Sequence, residues 1–234
     1  MFRKNCFKNI IVFSKKMCDF EQFWKHSKKI VCVGRNYEMH VKELGNDVPS
    51  VPVFFLKPTT AYITRDEKII TPPGCVDLQH EVELGLIISK TGKNIAEDKA
   101  MDWIQGYTLA LDMTARDEQR KAKNAGVPWT LAKMFDTSCP VGEFISKDKI
   151  SDPHALDIWL SVNGVKRQRS NTKYFIFRIP QILSYVSQFI TLEPGDLVLT
   201  GTPEGVGRVV SGDIIQAGLV QMGEEITKIE FHVK

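Results

Sequence analysis

His80-Glu81-Val82-Glu83-Leu84-Gly85-Leu86-Ile87-Ile88-Ser89 is the stretch on which the reading of this chain turns. Its apolar content and length mark a β-strand. Side chains alternate faces along a strand, so Glu81 and Glu83 point to the same side with Cα atoms about 6–7 Å apart. Two readings of that pair are open. In the first, they are the solvent face of a strand whose Val82 and Leu84 are buried. Alternatively, the two carboxylates converge in a partly buried place, which is costly unless a cation or a proton lies between them, and a hard divalent ion such as Mg²⁺ is then the natural partner.

Outward toward the C-terminus, AEDKAMDWIQ (96–105) is helical and leads into the strand YTLALD (107–112). Asp112 closes that strand just before the next helix. It is either a third acid at a strand terminus, where sites are commonly assembled, or the N-cap of that helix. Three carboxylates with open water positions would hold Mg²⁺ or Mn²⁺ and leave room for a ligand's oxygens. The helix RDEQRKAK (116–123) has Thr114 and Asp117 as a possible capping pair and ends at Gly126 and Pro128. Lys133, in WTLAKMF (129–135), stands among apolar residues, where an unpaired ammonium is expensive to bury. It is expected to meet an acid or a ligand carboxylate.

Outward toward the N-terminus, VFFLK (53–57) reads as a strand, KKIVCVG (28–34) as a buried strand and DFEQFWKHS (19–27) as a short helix. A second helix through NYEMHVKEL (36–44) stops at Gly45. On it His40 and Glu43 stand at i and i+3, on one face. Such a pair is either a surface histidine with a helical neighbour or a general base, in which the carboxylate fixes the tautomer and stabilises the imidazolium.

The second half is richer in β-structure. Asn163 and Gly164 sit between alternating apolar positions of DIWLSVNGVKRQ, a hairpin signal because both tolerate positive φ. Pro180 opens the helix IPQILSYVSQFI (179–190), and LVLTG, DIIQA and EITKIEFHV finish the chain as strands. The loop Gly201-Thr202-Pro203-Glu204-Gly205-Val206-Gly207 offers backbone amides to an anion, but it lacks the Walker Lys-Ser/Thr ending and the Rossmann spacing. The mixture is α+β with many antiparallel strands.

The chain has 234 residues, 43% hydrophobic and 25% charged, values that exclude disorder as its dominant state. No apolar run approaches the roughly 20 residues of a membrane helix. The five cysteines are odd in number and too scattered for a zinc site. Net charge is +3, but residues 1–18 hold Arg3, Lys4, Lys8, Lys15 and Lys16 and no acid, leaving 26 basic against 28 acidic residues in the body. A slightly acidic body argues against nucleic-acid binding. Residues 1–18 have the amphipathic, acid-poor pattern of a mitochondrial presequence. An untidy basic tail is the alternative, and so is a start at Met17, which would leave a cytosolic form. Residues 19–234 are expected to form one catalytic domain.

Taken together, GRNYEMHVKELG, FFLKP, HEVELGLIIS, GYTLALDMTARDEQ, PWTLAKMFDTSCPVG and TLEPGDLVLTGTPEGVG resemble the fumarylacetoacetate hydrolase family. The resemblance runs from about Ile30 to the C-terminus. It implies a mixed β-roll with few helices, a homodimer, and Mg²⁺ (or Mn²⁺) held by Glu81, Glu83 and Asp112. It further implies His40 and Glu43 as a catalytic dyad on a segment that orders as a lid, and Lys133 beside a bound 2-keto acid. Thr202 would hold the acid's carboxylate, and Arg116 and Gln119 would shape the pocket. The implied activity is hydrolysis of acylpyruvates to pyruvate and a carboxylate, decarboxylation of oxaloacetate, or keto-enol interconversion of oxaloacetate at the same site. The competing class is a non-catalytic binding or scaffold protein. Phe175 stands where relatives tend to have Met and Glu204 where Lys is frequent, the latter bearing on substrate charge.

Overall fold

The computed structural model describes residues 19–234; the basic leader, the Met17 start, Cys6 and Cys18 lie outside the described residues. Among the described residues the chain forms two large mixed sheets with four α-helices around them. Helices are written α1 (Glu38–Glu43), α2 (Arg116–Ala125), α3 (Thr130–Lys133) and α4 (Ile179–Phe189).

Val82–Ile88 is buried at every position because it lies inside a six-stranded sheet covered on both faces. That sheet runs Ile145–Ser146, Ile104–Leu111, Val82–Ile88, Leu197–Leu199, Ile30–Gly34, Val53–Lys57. Ile30–Gly34 is parallel to Leu197–Leu199, and the other pairings are antiparallel. Alternation then sorts the side chains. Val31, Leu84, Leu86, Ile88 and Leu109 pack against Ile158, Leu160, Ile215 and Leu219 of the second sheet. Ile30, Cys32, Ile87, Ala110 and Leu199 form a second cluster on the opposite face with Phe23, Cys139 and Val141. Glu83 shares the face of Ile87, at the strand end where this second cluster gives way to a pocket.

The second sheet orders Val165–Asn171, Asp157–Val162, Ile214–Gln221, Glu224–Val233 and Lys68–Ile69. Its first hairpin turns through Asn163 and Gly164 at φ 50° and 76°, the two positive values that this turn demands. α1 gives way to Gly45 at φ 62°, and α2 is capped by Gly126 at φ 65°. Pro180 sits in the first turn of α4, where its missing N–H costs nothing.

Several local expectations need correction. Thr114 and Asp117 do not cap α2, whose N-cap is Ala115 without a side-chain bond. Thr114 turns its hydroxyl to the Asp112 carbonyl at 3.0 Å, and Asp117 accepts from Val76 N–H at 3.0 Å, so both oxygens are already claimed by an adjacent loop and strand end. The two helices expected around residues 20–25 and 97–103 are present and wind as 3₁₀, a form suited to short pieces. Glu81 is not within a continuous strand: the ladder breaks between Leu78–His80 and Val82–Ile88.

Candidate active site

Despite that break, Glu81, Glu83 and Asp112 converge. All three are buried, and each offers an oxygen within 4.8 Å of the others. The solvent-face reading of the glutamates therefore fails, as does the capping role of Asp112. The register explains the meeting: Glu83 pairs with Ala110 and Val82 with Leu111 in adjacent strands, and the Asp112 N–H then donates to the Glu81 carbonyl at 2.8 Å. Two strand ends and one break deliver three acids to one point.

Three cations answer them. Lys133 Nζ, on α3, donates to Asp112 Oδ2 at 2.6 Å, to Glu81 Oε2 at 3.0 Å and to Thr114 Oγ1 at 2.6 Å. Arg116, at the start of α2, pairs with Glu81 through Nη2 and donates from Nε to Gln79 at 2.8 Å and from Nη1 to Gln119 at 2.7 Å. Lys57 Nζ stands 2.8 Å from Asp112 Oδ1, out of hydrogen-bonding alignment, and donates to the Lys133 carbonyl at 2.6 Å. Burial opposes the ionised form of Glu81, but Lys133 and Arg116 outweigh it and hold its pKa well below the usual carboxylate range. Burial likewise opposes the Lys133 ammonium, and Asp112 and Glu81 outweigh it, so its pKa is raised.

Glu83 is the exception. Burial, then the charges of Asp112 and Glu81, push its pKa well above the ordinary value, and its one hydrogen bond from a described residue is the Gly201 N–H at 2.6 Å. A buried carboxylate beside two others, with one amide for a partner, is short of positive charge. Together with the unaligned Asp112 Oδ1, that deficit fits a hard divalent cation bound by oxygen ligands.

Gly201 is what brings the amide so close. Its φ is +100°, and a Cβ there would lie 2.7 Å from Asn36 Cβ and 3.2 Å from the Val33 carbonyl. The loop thus passes directly over the parallel neighbours Ile30–Gly34 and Leu197–Leu199. The anions that its amides hold are the protein's own: Gly201 holds Glu83, and Gly205 N–H donates to Glu43 Oε1 at 3.0 Å.

His40 is buried on α1, and its Nδ1 is 3.1 Å from Glu43 Oε2. The ring lines the pocket, and with Nδ1 turned to the Glu43 carboxylate, Nε2 is the ring nitrogen left for a ligand. The surface-pair reading fails here too. Val33, Leu44, Phe55 and Trp129 supply the apolar wall, and Arg35 and Lys123 complete the charged lining.

Thr202 and Gln119 also line the pocket. The Thr202 hydroxyl donates to the Val82 carbonyl at 2.9 Å and accepts from Gln168 Nε2 at 2.8 Å, so its proton is already engaged. Gln168 escaped the sequence reading. Wholly buried in a strand that is otherwise largely exposed, it accepts from Val82 N–H at 3.1 Å and meets His80 Nδ1 at 2.9 Å, pinning the strand break beside Glu81. Lys57, Arg35 and Lys123 were missed as well. Lys57 had a signal, a lone cation ending the apolar run VFFL; Gln168 had none.

Comparison with known proteins places the chain. Residues 29–234 match the model of the fumarylacetoacetate (FAA) hydrolase C-terminal family. The chain belongs to the fumarylacetoacetate hydrolase family. Among the relatives of this family member, the mitochondrial oxaloacetate tautomerase of Mus musculus is 54% identical, the alignment covering 91% of this chain and 95% of that protein. The mitochondrial oxaloacetate decarboxylase of Dictyostelium discoideum is 49% identical over 88% of this chain and 94% of its own length. Fumarylpyruvate hydrolase from Pseudomonas aeruginosa, crystallised with Mn²⁺ and pyruvate, superposes with a TM-score of 0.83 at 35% identity, covering 88% of this chain and 89% of that one. The expected mixed-sheet α+β architecture is the family's own.

Proposed function

We propose that this chain is a divalent-metal-dependent enzyme acting on short 2-oxo acids that carry a second carbonyl group at the β position. Keto-enol interconversion of oxaloacetate is its leading activity. Decarboxylation of oxaloacetate and hydrolysis of acylpyruvates are further outlets of the same pocket. The observation that carries this reading is the buried carboxylate triad, short of one cation at Glu83, faced by a His40–Glu43 pair. Relatives at 49–54% identity, an oxaloacetate decarboxylase and an oxaloacetate tautomerase, support the substrate. The Mn²⁺ and pyruvate of the Pseudomonas neighbour support both the ion and the head group.

Glu81, Glu83 and Asp112 would hold the ion, Mg²⁺ in our reading. When bound, it supplies Lewis-acid stabilisation of negative charge developing on the substrate's 2-oxygen. The chain's own residues do the rest. His40 Nε2 takes a proton, from C3 of the keto acid in tautomerisation or from water in hydrolysis, while Glu43 holds the ring through Nδ1 and stabilises the imidazolium. Glu43 is itself anchored by the Gly205 amide, so α1 and the 201–207 loop are positioned together. Lys133 Nζ, bridging Asp112 and Glu81, keeps positive charge beside the reacting carbons. Decarboxylation needs only proton delivery at C3, and hydrolysis also needs the water that His40 activates. Arg116 and Gln119, bonded to each other, line the pocket, and the Thr202 backbone N–H, rather than its engaged hydroxyl, is the donor available to a carboxylate.

The relatives' mitochondrial names and the acid-poor leader support a mitochondrial location, and the homodimer implied by the resemblance is checked by light scattering. The decisive assay follows pyruvate release and tautomer conversion separately on keto-oxaloacetate, enol-oxaloacetate and acetylpyruvate, with Mg²⁺ or Mn²⁺. Metal-dependent turnover of oxaloacetate is expected. Absence of turnover on all three would refute the reading and favour a scaffold role.

A further inference from the structure

Four cations line the pocket, and they are not equivalent. Lys133 is engaged by Asp112 and Glu81, and Arg116 by Glu81, Gln79 and Gln119. Arg35 and Lys123 make no side-chain ion pair or hydrogen bond with any described residue. They come from different elements, Arg35 from the turn after Ile30–Gly34 and Lys123 from the last turns of α2.

Both charges line the same pocket. Burial, then the Arg35 guanidinium, then Arg116, lower the Lys123 pKa. Lys123 lies over the Trp129 ring, 5.6 Å from its centroid, which keeps the ammonium against the pocket wall. Arg35 has φ 60°, in the left-handed region that a long side chain rarely adopts. The chain thus leaves the end of this strand through a disfavoured conformation and brings a guanidinium into the pocket that Lys123 also lines, where Glu81, the acid that acts to raise the Lys123 pKa, is already paired with Arg116 and Lys133. Like charges held together in this way are relieved by an incoming anion.

The charge balance of the whole pocket points the same way. Three lining carboxylates face four lining cations, so a bound divalent ion leaves a net charge of about +3, a field that favours a dianion over a monoanion. The head carboxylate of a 2-oxo acid belongs with the acid triad, Lys133 and Arg116, which leaves Arg35 and Lys123 for the other end.

We propose that Arg35 and Lys123 form the recognition site for the second carboxylate of a dicarboxylic 2-oxo acid, and so select such substrates over acylpyruvates with a neutral tail. The proposal rests on the reading of the pocket as a 2-oxo acid site. It makes both residues specificity determinants and gives neither a part in proton transfer.

Oxaloacetate and acetylpyruvate share the 2-oxo acid head and differ in whether the tail is charged. For Lys123→Gln and Arg35→Gln, kcat/KM on oxaloacetate should fall about 10- to 100-fold, as for loss of a charge-assisted hydrogen bond, while acetylpyruvate changes less than about 3-fold. A second readout is competitive inhibition by malate and lactate, which differ by one carboxylate: the wild type should favour malate, and the variants should lose that preference. Equal losses on both substrates, or an unchanged malate preference, would overturn the proposal. A wild type active on acetylpyruvate but not on oxaloacetate would sink the dicarboxylate site alone. A wild type active on neither would sink the 2-oxo acid reading beneath it. Lys123 is exposed at the mouth of the pocket, so its variant is expected to fold even if Arg35→Gln does not.

Discussion

Replacing Glu83 by Gln separates what that carboxylate does for the fold from what it does for a metal. Gln keeps the size and retains an oxygen to accept the Gly201 N–H, now 2.6 Å from Glu83 Oε2. It removes one negative charge from a buried group of three. Without metal, the wild type carries a carboxylate whose ionisation is opposed by burial and by Asp112 and Glu81, so the metal-free variant should melt at or above the wild-type temperature. With metal the order reverses. An ion at 100 times its Kd stabilises the native state by about 2.7 kcal/mol. At about 2–4 °C per kcal/mol, a chain of 234 residues should then gain about 5–11 °C. The variant should lose most of that gain. Thermal denaturation followed by circular dichroism, in chelator and then in Mg²⁺ or Mn²⁺ titrated over a wide range, reads both effects. A variant that keeps the wild-type metal shift, or a wild type with no shift in either ion, would remove Glu83 from the metal site and the deficit of cation with it.

Three further outcomes test other parts of the argument. His40→Ala should lower acetylpyruvate hydrolysis by about 10²–10⁴-fold while leaving the metal-induced shift in melting temperature intact, and wild-type rates in that variant would remove the base. Gly201→Ala should cost about 2–4 kcal/mol by chemical denaturation, because φ +100° is strained for Ala and its Cβ would lie 2.7 Å from Asn36 Cβ; a neutral result would contradict the close crossing. His154 accepts the Ile179 N–H at the start of α4 through Nε2 at 3.1 Å, and burial, then the Arg178 charge, lower its pKa below 6.5. A base whose folded pKa is lowered contributes stability that is complete above about pH 6.5 and is lost as pH falls from there through the folded value. His154→Gln should flatten that part of the stability profile, and an identical slope in the variant would show that His154 is not its source.

Local rules carried most of the element assignments. The Asn163-Gly164 turn, the terminations at Gly45 and Gly126, and Pro180 in a first turn depend on backbone conformations that single residues allow or forbid, so they are readable in place. The capping pair at Thr114 and Asp117 failed for the opposite reason. Val76, whose N–H Asp117 accepts, belongs to another part of the fold and lies in no window around residue 114, while Thr114 turns back to the Asp112 carbonyl instead of forward to the helix.

For the site, the sequence alone determined the chemistry on offer: a Glu-x-Glu pair, an acid ending a strand, a His-x-x-Glu pair on a helix and a lysine among apolar residues. It left each with an ordinary alternative, because an acid on a strand is spaced alike whether its face meets water or a pocket. Tertiary structure decided between them. Burial on both faces of Val82–Ile88 removes the solvent reading of Glu83, and the register with Ile104–Leu111 brings Asp112 to the glutamates. It alone revealed Gln168, and Arg35 and Lys123 without an ion-pair partner among the described residues, and it gave Lys57 its place beside Asp112, since what makes these residues matter is which charges and amides stand opposite them. That is a property of chain crossings such as Gly201 over Val33 and Asn36, where residues more than 160 positions apart come into contact.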